Sequence, residues 1–218
     1  MDAPASKDGV DRMGFLLMLR RRGIADAALL RAMDEVPREH FIDDELGEAA
    51  YADQALPIAC GQTISKPSLV AYMTERLDLR PHHRVLEIGT GSGYHAAILS
   101  RLAGDVVSIE RFRSLVESAR ARLSSLGCAN VELLHDDGLA AAPGRGPFDR
   151  IIVTAAAAEI PENLLDQMAD HGVMVLPLGP DHGPQRIVKL SKTREGIERD
   201  ELMAVRLVPL IPGVAKEL

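Results

Sequence analysis

Ten residues limit the fold of this chain more than any others: Val85-Leu86-Glu87-Ile88-Gly89-Thr90-Gly91-Ser92-Gly93-Tyr94. A short apolar run of β type enters three glycines at alternate positions. The next residues, His95 to Leu102, read as a helix. Strand, glycine turn and helix open an α/β nucleotide-binding unit. The glycines let the backbone turn sharply and come close to a ligand that a Cβ would push away. The helix N-terminus then offers free N–H groups to a negatively charged part of that ligand.

The turn alone leaves the ligand open. Gly91-Ser92-Gly93-Tyr94-His95-Ala96 fits G-x-G-x-x-A, so a dinucleotide such as NAD stays in view. Glu87 points elsewhere, because a carboxylate at the end of this strand repels a pyrophosphate and attracts a sulfonium or an ammonium. S-adenosylmethionine carries both cations. Ser92 is not a nucleophile elbow, since Thr90 and Tyr94 stand where G-x-S-x-G needs glycine. No Walker lysine follows the glycines.

The rest of the chain is read around this unit. Val10 to Arg22 predicts an amphipathic helix closed by Gly23, after a frayed tail at residues 1–8. Asp26 predicts an N-cap for a helix over Ala27 to Val36, which Pro37 stops. Arg38 to Gln62 is polar and irregular, long for a plain loop and so a functional candidate. Pro67 to Leu77 predicts a third helix. From Arg84 on, strands are expected at Arg84–Ile88, Asp105–Glu110, Val131–Leu134, Asp149–Thr154, Val173–Leu178, Gln185–Leu190 and Met203–Pro209. Helices are expected at Tyr94–Leu102, Phe112–Leu126 and Glu162–Asp170. The alternation implies a Rossmann-like, doubly wound, mostly parallel α/β sheet of about seven strands. A charged turn at Lys192–Arg199 implies a hairpin, and hence one antiparallel strand near the C-terminus. The expected division is an N-terminal helical extension with a substrate-side loop over residues 1–80, and a ligand-binding domain over residues 81–218.

Composition removes several classes. The 218 residues carry a net charge of −7, which disfavours a nucleic-acid backbone as partner. The apolar run Phe15–Leu19 is too short to span a bilayer. Two cysteines without a C-x-x-C, and histidines without metal-ligand spacing, give no disulfide scaffold and no metal site. Cytoplasm is the default location, and with no evident apolar surface stripe a monomer is expected.

Ligands of an open α/β sheet sit at the carboxyl ends of its strands. Glu110 ends the second strand, 19 residues after Gly91, where it can accept from two ribose hydroxyls; its other reading is a helix-start acid. Asp137-Gly138 follows the third strand, where the acid can accept from an adenine amino group or simply hold a turn. Three acidic strand ends suit a nucleoside with a cationic tail. A second informative stretch is Leu56 to Pro67. Within it Ser65 precedes a helix, so its local reading is an N-cap.

Taken together, these stretches resemble the protein-L-isoaspartate O-methyltransferase family. The resemblance runs from Val36-Pro37-Arg38-Glu39-His40-Phe41 through Tyr51-Ala52-Asp53, Gly61-Gln62-Thr63-Ile64-Ser65 and the glycine turn. It continues through Ser108-Ile109-Glu110-Arg111, Asp137-Gly138 and Phe148–Ala156 to Val208-Pro209-Leu210. It implies S-adenosyl-L-methionine as methyl donor, S-adenosyl-L-homocysteine as product, and isoaspartyl residues of damaged proteins and peptides as acceptors. It implies Ser65 as the active-site serine, with Thr63 and Ile64 lining the substrate edge. Ser68 and Leu69 would cover the cofactor, and Glu87, Ile88, Gly89, Gly91 and Gly93 would cradle its methionine part. Glu110 would hold the ribose, and Asp137 and Gly138 the adenine end. Rival readings are methyl transfer to another carboxylate, and a non-catalytic cofactor-binding module. The chain departs from the family at Leu139–Pro143, where aromatics are usual, at His171-Gly172 for a Gly-Gly pair, and at Leu207 for a Phe.

Overall fold

The computed structural model describes residues 7–215. The tail expected at residues 1–8 lies outside the described residues up to residue 6, and the first helix, α1, spans Lys7–Arg21. Gly23 closes it in a left-handed conformation (φ +90°). Its N–H donates to the Arg20 carbonyl and that of Ile24 to Leu19, the paired bonds of a Schellman cap. α2 spans Ala27–Glu35 and is capped by Asp26, whose Oδ1 accepts from the Leu29 N–H at 2.8 Å. After short 3₁₀ turns, Leu56–Pro57 and Thr63–Ile64 form a two-residue antiparallel ladder. α3 spans Pro67–Arg76.

The main sheet has seven strands: β1 Arg84–Ile88, β2 Asp105–Glu110, β3 Val131–His135, β4 Phe148–Val153, β5 Met168–Leu178, β6 Gln185–Thr193 and β7 Gly196–Val205. Their spatial order is β3-β2-β1-β4-β5-β6-β7. β1 to β5 run parallel, and β6 is antiparallel to both of its neighbours. Between them lie α4 Tyr94–Leu102, α5 Arg113–Ser125 and α6 Glu162–Asp166. β1 and β2 are apolar because both of their faces are covered. Along β1 the side chains alternate: Val85 joins a core with Leu69, Met73 and Leu99 from α3 and α4, whereas Leu86 and Ile88 join the core on the opposite face. Glu87 therefore faces the α3–α4 side. A third core packs Phe15, Leu29, Met33 and Phe41 against Tyr94, Ala97 and Ile98, seating the N-terminal helices on α4.

Two regions depart most from the sequence reading. The helix expected at Glu162–Asp170 ends at Asp166, and β5 begins at Met168, which pairs with Phe148. A register shift follows, with His171 in the left-handed region (φ +61°) where the family has glycine. The last strand is not Met203–Pro209 but Gly196–Val205, turning at Thr193–Gly196. The turn expected at Lys192–Arg199 takes in this strand's exposed charged residues Glu198 and Arg199, yet charge is how an edge strand resists pairing with another chain. The apolar Val208-Pro209-Leu210 forms only an isolated parallel bridge, Pro209 opposite Ala156.

Candidate active site

At the carboxyl ends of β1, β2 and β4 a cleft opens that encloses about 860 Å³ including its mouth, room for a nucleoside-sized ligand. Its floor is the glycine turn. A Cβ on Gly89 would lie 2.3 Å from Thr154 Oγ1, a hydroxyl that donates to the Gly89 carbonyl at 2.8 Å. A Cβ on Gly138 would lie 2.4 Å from Ile88 Cγ2. Both positions require glycine for close approach, and the wall they make is bare backbone.

The carboxylates divide their tasks. Glu110 is buried at the cleft wall; one oxygen accepts from the Gly91 N–H at 2.9 Å and the other from the Phe112 N–H at 3.1 Å. It thus ties the turn to the start of α5 and keeps lone pairs for hydroxyl donors. Glu87 is fully buried beneath the turn. Its Oε2 accepts from Ser108 Oγ at 2.5 Å, and Thr90 Oγ1 lies 2.5 Å from that same hydroxyl. Its Oε1 has no hydrogen-bond partner and lies 3.9 Å from Nδ1 of His95. Burial pushes the Glu87 carboxyl up to about 8, against the pull of the Ser108 bond, and nearby Glu110 raises it further. Burial takes His95 down to about 4, so its imidazole is neutral. Beneath the glycine cradle, the Glu87 Oε1 is thus a buried polar atom left without a partner.

The other edge of the cleft is Gln62 to Ser65. Lys66, not Ser65, is the N-cap residue of α3, and it makes no side-chain cap bond. That cap is supplied from afar: Asp53 Oδ1 accepts from the Ser68 N–H at 3.0 Å. The Ser65 carbonyl is held at 2.8 Å by Nη2 of Arg38, a fully buried guanidinium 4.9 Å from the centre of the Tyr94 ring. Ser65 is thereby fixed through its backbone. Its hydroxyl makes no hydrogen bond among the described residues, and it stands where the cleft meets a second groove.

The cleft brings together Thr63, Ile64, Ser65, Ile88, Gly89, Gly91, Glu110 and Gly138. The other residues singled out lie off its wall. Gly93 (φ +91°) starts α4, with Ala119 where its Cβ would go. Ser68 is buried on the Asp53 cap, and Leu69 packs into the α3–α4 core and lines the second groove. Asp137 makes the plain turn: its Oδ1 accepts from the Leu139 N–H at 2.9 Å. Glu87 reaches the cleft only from behind. Sequence reasoning missed His95, Thr154 and the segment Val208–Ile211, all on the wall. The segment is drawn over the cleft by Arg111, whose Nε donates to the Gly213 carbonyl at 3.1 Å while its own carbonyl accepts from Ala215. The motif Val208-Pro209-Leu210 was visible, but as a strand end.

Known proteins are similar to this chain over nearly its whole length. A solved Plasmodium falciparum chain, described as a beta-aspartate methyltransferase in complex with S-adenosyl-L-homocysteine, superposes with a TM-score of 0.81 at 29% identity, covering 92% of this chain and 98% of that one. A second solved protein-L-isoaspartate O-methyltransferase gives 0.83 at 30% identity, covering 91% of this chain and 65% of the other. A protein-L-isoaspartate O-methyltransferase of Rhodopseudomonas palustris is 57% identical over 95% of this chain and 96% of its own length. One from a Bradyrhizobium species is 56% identical, over 95% and 97%. With the family model matched over residues 12–215 as well, the chain belongs to the protein-L-isoaspartate(D-aspartate) O-methyltransferase family.

Proposed function

We propose that this chain transfers a methyl group from S-adenosyl-L-methionine to the free α-carboxylate of isoaspartyl residues in damaged proteins and peptides, at a centre edged by Ser65. One observation carries the reading: an unengaged serine hydroxyl, with its backbone fixed, at the junction of an acid-lined cleft and an open groove. When bound, the cofactor supplies a methyl on a positively charged sulfur.

The chain's residues need only bind, orient and exclude water. Glu110 is placed for the ribose hydroxyls, and Glu87 supports the glycine turn from behind. Val208–Ile211 screens the cleft. The acceptor is already an anion, so no proton need be removed. The Ser65 hydroxyl would donate to one carboxylate oxygen and leave the other free to attack. The ester then closes to a succinimide as the following backbone nitrogen expels methanol, and hydrolysis returns part of it as normal aspartate.

Among the described residues no helix is long and apolar enough to cross a membrane. A monomer in the cytoplasm remains our reading of the composition. The test is the Ser65→Ala variant. We expect binding of S-adenosyl-L-methionine, by calorimetry, within about twofold of the parent, and methyl transfer to an isoaspartyl peptide reduced about a hundredfold. Unchanged turnover would remove Ser65 from the centre.

A further inference from the structure

Charge is segregated along the two connected spaces. The cleft wall carries one acid, Glu110, with Glu87 buried behind the glycine turn. The acceptor is an anion, and in a chain of net charge −7 it needs a different reception. The groove beyond Ser65 offers one. It is the larger space, about 1520 Å³ including its mouth, and shares Thr63, Ser65, Val208 and Pro209 with the cleft. Leu69, Met203 and Leu207 give it an apolar lining. Two cations flank that lining, half-buried Lys66 beside Ser65 and exposed Arg206 after β7, against the one acid Asp181. Neither Lys66 nor Arg206 makes an ion pair among the described residues. By contrast Arg186 and Arg199, on β6 and β7, are both paired with Glu201.

We propose that this groove receives the polypeptide flanking the isoaspartyl residue, and that Lys66 and Arg206 make it selective for acidic flanks. The occupant follows from continuity with the transfer centre and from charge. A chain whose acceptor carboxylate lies at Ser65 must leave along the groove, since the cleft behind is shaped for the cofactor. Unpaired cations at its walls attract acidic neighbours and repel basic ones, chiefly during encounter and in a salt-dependent way. The inference rests on the methyl-transfer reading above.

The experiment measures kcat/KM for three isoaspartyl peptides of one length, with glutamate, alanine or lysine flanks. It uses the parent and a Lys66→Glu, Arg206→Glu double variant, at low and at high salt. We expect the parent to favour glutamate over lysine flanks by about tenfold at low salt, with the ratio collapsing at high salt. The double variant should invert the preference, while its calorimetric affinity for S-adenosyl-L-methionine shows it to be folded. Methylation of the alanine-flanked peptide with no charge preference, or a preference that survives the charge reversal, would overturn the selectivity and leave the function standing. Methylation of none of the three would overturn both.

Discussion

Glu87 shows how far a single residue can be read and where reading stops. Its acidity in an apolar strand pointed to a cationic ligand. Its side-chain direction follows from strand alternation, which buries it under α4 beside neutral His95. The consequence is a pH signature. In the fold Glu87 keeps its proton up to about 8, against 4.5 for an exposed glutamate. Stability from this group is complete below pH 4.5 and is lost as pH rises through 8. His95 runs the opposite way. Its folded value of about 4 against 6.5 gives a contribution present above pH 6.5 and lost as pH falls through 4. Between pH 6.5 and 8, of this pair only Glu87 is still changing. The melting temperature of the ligand-free protein should therefore fall across that window, and Glu87→Gln should flatten the fall. Scanning calorimetry at fixed ionic strength reads it, and an identical slope in the variant would contradict the assignment. At this scale Ser65 and Asp137 mark the limit of local sequence signals. Both could cap a turn or helix by residue type; Asp137 does, and Ser65 does not, because Lys66 stands at the α3 N-cap and distant Asp53 supplies the cap bond.

That long-range cap makes Asp53 an element-scale device. It joins the irregular stretch after α2 to the head of α3, the helix whose preceding residues carry Ser65. Its second oxygen lies 3.2 Å from Arg22 at the end of α1. Asp53→Ala should lower the denaturation midpoint by the equivalent of about 1–2 kcal/mol with the m-value unchanged. It should also raise KM for the peptide more than it weakens cofactor binding, since the cap anchors the helix that directly follows Ser65 and Lys66. A loss confined to stability would make the cap structural only. Elements with a clear apolar period were legible: β1, β2 and α4 stand at the residues expected. The misread ones share one cause. β7 carries its charges outward on an edge, and the start of β5 turns through a left-handed His171, so neither shows the alternation that marks a strand.

At the scale of the molecule, the glycine turn, the alternation of strands with helices and the final hairpin were enough to specify the doubly wound sheet with one reversed strand. What they did not specify is enclosure. The third wall of the cleft comes from Val208–Ile211, brought back across the sheet by Ala156 and by the ties of Arg111 to Gly213 and Ala215. Such long-range contacts leave no periodic trace in sequence. The proposed site thus joins three regions of the chain: a sheet end carrying Glu110, a serine edge from the stretch before α3, and a closing segment from the far end. The measurement that tests this account most directly is the transfer of labelled methyl from S-adenosyl-L-methionine to two peptides identical but for one residue, isoaspartate in one and aspartate in the other. The account predicts base-labile label on the isoaspartyl peptide alone. Equal labelling of both, or none on either while the cofactor still binds, would contradict it.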